Sequence, residues 1–328
     1  MINPEMKLAE NLFEKPGMAS TREGFGKGSV EAGQADPRVV VLTADLSEST
    51  QAHQFQKAFP ERFVQVGVAE QNLATVASGM ANYGKIPFFT SYAMFSPGRN
   101  WEQIRTTIAL NNISAKVCGM HAGVSVGPDG ATHQALEDIA LMRVLPHMTV
   151  VYPCDAEQGR KATLAAATQD GPFYLRFGRE KTPVMTTADT PFELGKAEVF
   201  WKSDSPAAAI FSTGPLTHNA LLAARELEQS GIAVSVVNFH TIKPLDRETL
   251  IAEAKKAGAV VTVEEHQIAG GFGGAVAEVL AQECPLPIEF VGVHDLFGQS
   301  GTAAELIEHY GMGVSHIVAA VKKVIARK

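Results

Sequence analysis

One acidic residue, Glu70, lies where a carboxylate could do chemistry. It follows residues 63–68, whose apolar side chains alternate as in a strand, and it precedes residues 71–83, which place apolar side chains on one helical face. A carboxylate at such a junction is expected at the carboxyl edge of an α/β sheet, where these folds bind ligands. An acid that only stabilises the start of a helix is the alternative interpretation of the local pattern.

Two histidines and an aspartate share a glycine-rich segment, residues 121–134, that follows another predicted strand. His121, Asp129 and His133 are therefore expected at the same edge of the sheet. Histidine can donate, accept or transfer a proton near neutral pH, and glycine lets the backbone approach a ligand closely. A surface loop with incidental histidines is the alternative interpretation.

Three arginines and two aromatic residues are further candidates. Arg22, Arg176 and Arg179 could bind an oxyanion, because a guanidinium can donate two parallel hydrogen bonds to such a group. Tyr92 and Phe95 follow a predicted strand and could stack on a flat ring. Surface charge for the arginines and core packing for the aromatic rings are the alternatives.

The elements that position these residues alternate between strands and helices. Predicted strands cover residues 39–42, 63–68, 87–92, 115–120 and 148–153, and helices are predicted over 71–83, 99–110 and after Asp155, which has Gln158 three residues on as in a capping box. The second part repeats the alternation on a smaller scale. The fold class is therefore α/β, with two doubly wound domains and a mostly parallel sheet covered on both faces.

A non-periodic segment with two prolines, residues 181–194, is interpreted as a linker. It separates a first domain, residues 1–180, from a smaller second domain, residues 195–328.

Composition narrows the class of protein. A chain of 328 residues has room for two domains, and a net charge of −7 without a long basic run argues against nucleic acid and anionic membranes as partners. No apolar stretch is long enough to span a bilayer, and the N-terminus lacks the pattern of a signal peptide. Three widely spaced cysteines predict reduced packing residues. We expect a cytoplasmic protein.

Several segments, taken in order, resemble the transketolase family of thiamine-diphosphate enzymes. They are Ala44-Asp45-Leu46, Val66-Gly67-Val68-Ala69-Glu70-Gln71, Thr90-Ser91-Tyr92-Ala93-Met94-Phe95, Asp129-Gly130-Ala131-Thr132-His133-Gln134, Gly171-Pro172 leading to Arg179, and Asp295 to Gly301. The resemblance covers nearly the whole chain. It implies a pyrimidine-binding domain followed by the C-terminal domain of a transketolase.

The resemblance implies a cofactor site. Glu70 matches the glutamate that hydrogen-bonds the aminopyrimidine ring of thiamine diphosphate and so activates the cofactor, which then acts as an electron sink. Tyr92 and Phe95 match the pyrimidine pocket. Asp45 and Leu46 match a loop near the cofactor.

It also implies a substrate site. His121 and His133 match histidines that bind substrate hydroxyls and assist proton transfer, and Asp129 matches an aspartate that reads a hydroxyl. The terminal phosphate of the substrate is expected on the positions that Arg22, Ser49 and Arg179 occupy. Arg176 is similar to a further anion-binding arginine of deoxyxylulose-phosphate synthases.

One family feature is absent. Transketolases bind Mg²⁺ (or Ca²⁺) and the diphosphate through Gly-Asp-Gly and an Asn about thirty residues later, with the oxygen ligands that such ions prefer, and this sequence contains no Gly-Asp-Gly. We therefore expect a split enzyme whose N-terminal subunit supplies the diphosphate-binding domain and most of the metal ligands. The active site would then lie between chains of an α2β2 heterotetramer, and this chain would have no metal site of its own.

Three alternatives remain open. Deoxyxylulose-phosphate synthase is similar around Ala69-Glu70-Gln71 and Arg176, and the β subunit of a 2-oxo acid dehydrogenase has the same architecture and length. A non-catalytic regulatory subunit that kept the fold belongs to another class. The preferred interpretation is a two-carbon ketol transfer from a ketose phosphate to an aldose.

Overall fold

The computed structural model describes residues 1–328 and contains fourteen strands. They are β1 (Met18–Ala19), β2 (Val39–Thr43), β3 (Phe63–Gln65), β4 (Ile86–Tyr92), β5 (Lys116–Met120), β6 (Thr149–Val151), β7 (Phe173–Arg176), β8 (Thr182–Pro183), β9 (Glu198–Trp201), β10 (Ala208–Ser212), β11 (Val234–Asn238), β12 (Thr241–Lys243), β13 (Val260–Gln267) and β14 (Ile288–Val293).

The strands alternate with eleven α-helices. They are α1 (Thr21–Ala35), α2 (His53–Ala58), α3 (Glu70–Asn82), α4 (Trp101–Gln103), α5 (Asp138–Arg143), α6 (Ala156–Thr168), α7 (Thr217–Gln229), α8 (Arg247–Ala257), α9 (Phe272–Glu283), α10 (Ala303–His309) and α11 (Val314–Ile325). None of these helices combines the length and the apolar character needed to cross a membrane.

The first unit is built on a seven-stranded sheet in the order β12-β6-β7-β5-β4-β2-β3. Strands β2 to β7 are parallel, and β2, β5 and β7 are buried along their whole length because helices cover both faces. The predicted α/β class with a mostly parallel sheet is confirmed. The carboxyl ends of β2, β4 and β5 lie side by side, which brings the segments after residues 43, 92 and 120 to one edge.

A strand of the second unit completes the sheet of the first. The edge strand β12, which the sequence pattern did not reveal, lies beyond the predicted linker and pairs antiparallel with β6. The second unit has its own five-stranded sheet in the order β14-β13-β10-β11-β9, parallel except for β9. One hydrophobic cluster runs from Leu42 and Phe89 of the first unit to Phe211 and Phe272 of the second.

Two local predictions are corrected, and the predicted linker shows a pairing that the sequence pattern did not reveal. The helix predicted over 99–110 begins as α4 and widens into a π-helix over Ile104–Ala109, where Thr106 and Thr107 donate back to the carbonyls four residues earlier and compete with the backbone ladder. The segment interpreted as a linker contains β8, which pairs with β1. Asp155 does cap α6, but Gln158 accepts from the Cys154 amide and therefore does not close a capping box.

A buried ion pair lies where the two units meet. Arg176 Nε donates to Asp138 Oδ2 at 2.7 Å, and Arg176 Nη2 donates to Asp138 Oδ1 at 3.1 Å and to the Glu265 carbonyl at 3.0 Å. Both side chains are almost fully buried. Burial opposes the charge on Asp138, but the attraction of Arg176 outweighs it and holds the pKa of that carboxyl below its ordinary value.

Asp138→Asn should strongly destabilise the chain, because it leaves the Arg176 guanidinium buried without a counter-charge. We expect the free energy of unfolding, measured with urea, to fall by about 3–5 kcal/mol. Arg247→Met is the matched control: it removes an ion pair to Glu283 whose two side chains are about half exposed, and it should change the free energy little. Equal losses in the free energy of unfolding of the two variants would contradict the stabilising role of the Arg176–Asp138 ion pair.

Candidate functional site

Glu70 opens α3 and lines a cavity at the carboxyl edge of the first sheet. The chain turns sharply between β3 and α3 at Gly67, which has a φ of +74°, and this turn lets Glu70 enter the helix with a side chain only 2 % exposed. The cavity has a volume of about 580 Å³ and is lined by Ala44, Asp45, Leu46, Val68, Glu70, Tyr92, Phe95, Arg99, Asp129 and His133.

Two residues from the start of the next helical segment hold Glu70. Asn100 Nδ2 donates to the Glu70 carbonyl at 2.8 Å, and Arg99 Nη1 donates to Glu70 Oε2 at 2.7 Å. The other carboxylate oxygen, Oε1, has no hydrogen-bond partner in the protein. The cavity is therefore lined by a fixed carboxylate with one oxygen available to a ligand.

Aromatic rings form a wall beside this carboxylate. The rings of Tyr92 and Phe95 are nearly parallel, with an interplanar angle of 19° and centroids 6.1 Å apart. Tyr92 also stacks on His121 with centroids 4.0 Å apart, and His133 packs edge-on against Phe95 at 5.4 Å. This wall offers apolar faces against which a flat ring can pack, and it joins the cavity to the histidines.

A cationic cluster adjoins the cavity through His121. Arg22 Nη1 lies 3.4 Å from His121 Nε2 and donates to the Ser49 carbonyl. Arg179 donates to the Val126 carbonyl at 2.6 Å and contacts Asp129 Oδ1 at 3.4 Å. The structure thus brings five predicted substrate residues together, although Ser49 contributes a backbone oxygen to Arg22.

The protonation of His121 follows from these neighbours. Burial, and then the charges of Arg22 and Arg179, lower the pKa of His121 to about 3, so the ring is neutral at physiological pH. Because a guanidinium can only donate, Nε2 is the acceptor towards Arg22 and Nδ1 carries the hydrogen. Both His121 Nδ1 and Arg22 Nε are buried without a partner in the protein, a cost that a polar ligand would relieve.

The remaining predicted cofactor and substrate residues also lie in this region. Asp45 has a φ of +62° and its amide donates to Gln65 Oε1, which places Asp45 and Leu46 at the cavity wall. His133 Nδ1 lies 2.9 Å from Thr132 Oγ1, an arrangement that leaves Nε2 for a ligand.

Arg176 does not belong to the site. Its guanidinium is buried against Asp138 and the Glu265 carbonyl and lies over the Tyr152 ring. Because the Arg176 side chain is fully buried between the two units, it cannot contact a substrate. This corrects the expectation that Arg176 binds an anion.

Sequence reasoning missed Arg99, Asn100 and Glu265. Glu265 Oε1 accepts from the Ser125 amide and fixes the loop that carries His121 and Asp129 from the second unit. The three contacts that these residues make are long-range and leave no periodic signal in the sequence. Gln134, by contrast, is part of a quoted motif, and its amide holds the same loop through the carbonyls of Val124, Gly127 and Gln299.

The residues present fit the pyrimidine half of thiamine diphosphate. Glu70 has an unpaired oxygen in a cavity that also presents the Tyr92 and Phe95 rings, as an aminopyrimidine requires. The chain has no group of three or more His, Cys, Asp or Glu side chains that could hold a metal ion.

Comparison with known families gives two matches that together span most of the chain. Residues 17–185 match the pyrimidine-binding domain of transketolase, and residues 195–317 match the transketolase C-terminal domain.

Two of the similar proteins are matched over nearly their whole length. A Methanocaldococcus jannaschii protein, provisionally named a transketolase C-terminal section, is 42 % identical over 89 % of this chain and 92 % of its own length. A 6-deoxy-6-sulfo-D-fructose transketolase subunit of Clostridium sp. (strain MSTE9) is 39 % identical over 99 % of this chain and 98 % of its own.

A solved structure described as a split-gene transketolase, inactive β4 tetramer, superposes with a TM-score of 0.87. It is 47 % identical, and the match covers 94 % of this chain and 98 % of that one. The chain therefore belongs to the transketolase family and contains its pyrimidine-binding and C-terminal domains.

Proposed function

We propose that the chain is the catalytic C-terminal subunit of a thiamine-diphosphate-dependent transketolase that moves a two-carbon ketol unit from a ketose phosphate to an aldose. One observation carries the proposal. Glu70 presents an unpaired oxygen beside the Tyr92 and Phe95 rings, and the His121 ring joins this cavity to the guanidinium of Arg22.

Different residues of the chain have different roles in the proposed reaction. When bound, thiamine diphosphate supplies the nucleophilic carbon and the electron sink of the reaction. Glu70 Oε1 would pair with a nitrogen of the pyrimidine ring and exchange a proton with it, and the rings of Tyr92 and Phe95 would pack beside it. His121 donates through Nδ1 to a substrate oxygen, because its ring is neutral and its other nitrogen faces Arg22. His133 is suited to move a proton at a substrate hydroxyl through Nε2.

A partner subunit completes the site in this proposal. The cavity could hold the pyrimidine ring. The chain, however, contains no Gly-Asp-Gly segment and no cluster of acidic side chains that could bind the diphosphate and its Mg²⁺. Val68, at the wall of the cavity, is 71 % exposed, which suits a surface that another chain covers. An N-terminal transketolase subunit would bind most of the metal and assemble with this chain as a cytoplasmic α2β2 heterotetramer.

The substrate's anionic end is placed on Arg22 and Arg179. The guanidinium of Arg22 contacts His121 and that of Arg179 contacts Asp129, and each can donate to a phosphate. A relative 39 % identical is named for a sulfonated sugar, so a sulfonate is the competing anion. A phosphate carries close to two charges at pH 7, and two guanidiniums favour it over a singly charged sulfonate.

Glu70→Gln should abolish most of the activity while keeping the side chain's shape. We expect kcat of the complex with its partner to fall by about 10²–10⁴-fold, since the neutral amide cannot exchange a proton with the pyrimidine ring as a carboxyl group can. Steady-state kinetics and the unfolding temperature are measured on each variant. Glu102→Gln, at an exposed carboxylate of α4, is the control and should leave both unchanged. Full activity of the Glu70→Gln complex would favour a non-catalytic subunit.

Arg179→Met should weaken the binding of a phosphorylated ketose without slowing the chemical step. We expect KM to rise by about 10–100-fold with little change in kcat, because a charge-assisted hydrogen bond made equally in ground and transition states is lost. The effect should be smaller for a sulfonated sugar and absent for a neutral one. Lys181→Met, two residues further and exposed, is the control. An equal rise for charged and neutral sugars would contradict an anion site.

Affinity purification of the tagged chain from its source cells should recover a stoichiometric second chain. Mass spectrometry is expected to identify Gly-Asp-Gly and a downstream Asn in it, and the pair should bind thiamine diphosphate with Mg²⁺ when neither chain does so alone. A lone homodimer that stays free of the cofactor under these conditions would contradict the split-enzyme proposal.

A further inference from the structure

Arg99 is the only cation that contacts the Glu70 carboxylate. Its guanidinium donates to Oε2 at 2.7 Å and lies over the Phe95 ring, with the central carbon 4.8 Å from the ring centroid. Arg99 is anchored through its backbone as well, because its amide donates to the Phe95 carbonyl at 3.0 Å. The same turn therefore sets the position of the aromatic wall and of the cation.

The environment of this pair is asymmetric. The Glu70 side chain is 2 % exposed, whereas the Arg99 side chain is 50 % exposed at the rim of the cavity. A buried carboxylate needs a counter-charge or several donors, and Glu70 Oε2 has no other hydrogen-bond partner than Arg99. The contact thus differs from an ordinary surface ion pair, in which both groups remain hydrated.

The geometry of the contact separates the two carboxylate oxygens. Arg99 approaches through one nitrogen, Nη1, and engages only Oε2, so Oε1 remains without a protein partner. Asn100 fixes the backbone of Glu70 through its carbonyl at 2.8 Å. Rotation of the carboxylate, which would exchange the two oxygens, is opposed by a charge-assisted hydrogen bond.

The geometry points to Arg99 as a positioning residue for Glu70: it binds Oε2 from the rim so that Oε1 alone is presented to the pyrimidine ring. This inference rests on the proposed function, since the ring belongs to the proposed cofactor. Any chain that covers the rim would also remove water from Arg99 and strengthen its contact with Glu70.

The test compares Arg99→Met with Arg99→Lys in the complex purified with its partner through the tagged chain. The readout is the dissociation constant of thiamine diphosphate at fixed Mg²⁺, measured by calorimetry, together with the unfolding temperature. We expect Arg99→Met to weaken binding by roughly ten-fold and Arg99→Lys to recover part of the loss, because an ammonium can still donate to Oε2. Arg105→Met, at an exposed arginine of the same helical segment, is the control and should bind as the wild type does.

The outcomes distinguish this inference from the proposed function. A wild-type complex that does not bind the cofactor, or a Glu70→Gln complex that keeps full activity, would remove the proposed function itself. If Glu70→Gln weakens binding but Arg99→Met does not, only the role of Arg99 fails. Tighter binding by Arg99→Met would show that Arg99 competes with the ring for Glu70, which is the opposite of positioning. A loss matched by a fall in unfolding temperature and not relieved by Arg99→Lys would show a structural role.

Discussion

Carboxylates that are removed from water need partners, and this requirement organises the middle of the molecule. Asp138 is held by Arg176, and Glu70 by Arg99. Glu264 accepts from the amides of Phe272 and Gly273 at the start of α9, although burial still raises its pKa to about 7. Each partner comes from a different element. Satisfying these charges therefore fixes how the helices and loops lie around the two sheets.

The second unit supports the site without contributing a side chain to the cavity. Glu265 on β13 binds the Ser125 amide, and its backbone carbonyl accepts from Arg176. Gln134 joins the loop to the carbonyl of Gln299. The loop that carries His121 and Asp129 is thus held by two contacts with the second unit, which gives the transketolase C-terminal domain of this chain a structural role in placing the candidate substrate residues.

The sequence predicted the part of the site that depends on local pattern. Glu70 and His121 each follow a strand of alternating or continuous apolar residues, Tyr92 ends one, and parallel strands bring their carboxyl ends to one edge. Arg176 was misplaced because it was grouped with Arg179. Arg176 is the last residue of the fully buried strand β7, whereas Arg179 lies beyond the end of that strand. Arg99 was missed because its contact with Glu70 spans 29 residues and depends on a turn without periodicity.

The edge strand β12 has a consequence for synthesis of the chain on the ribosome. Strand β6 pairs with β7 on one side and with Thr241–Lys243 on the other, so the first sheet stays open until the second unit is well under way. Until then, the free edge of β6 exposes backbone donors and acceptors that could pair with another nascent chain. The first unit therefore reaches its full seven-stranded sheet only after residues 241–243 have been synthesised.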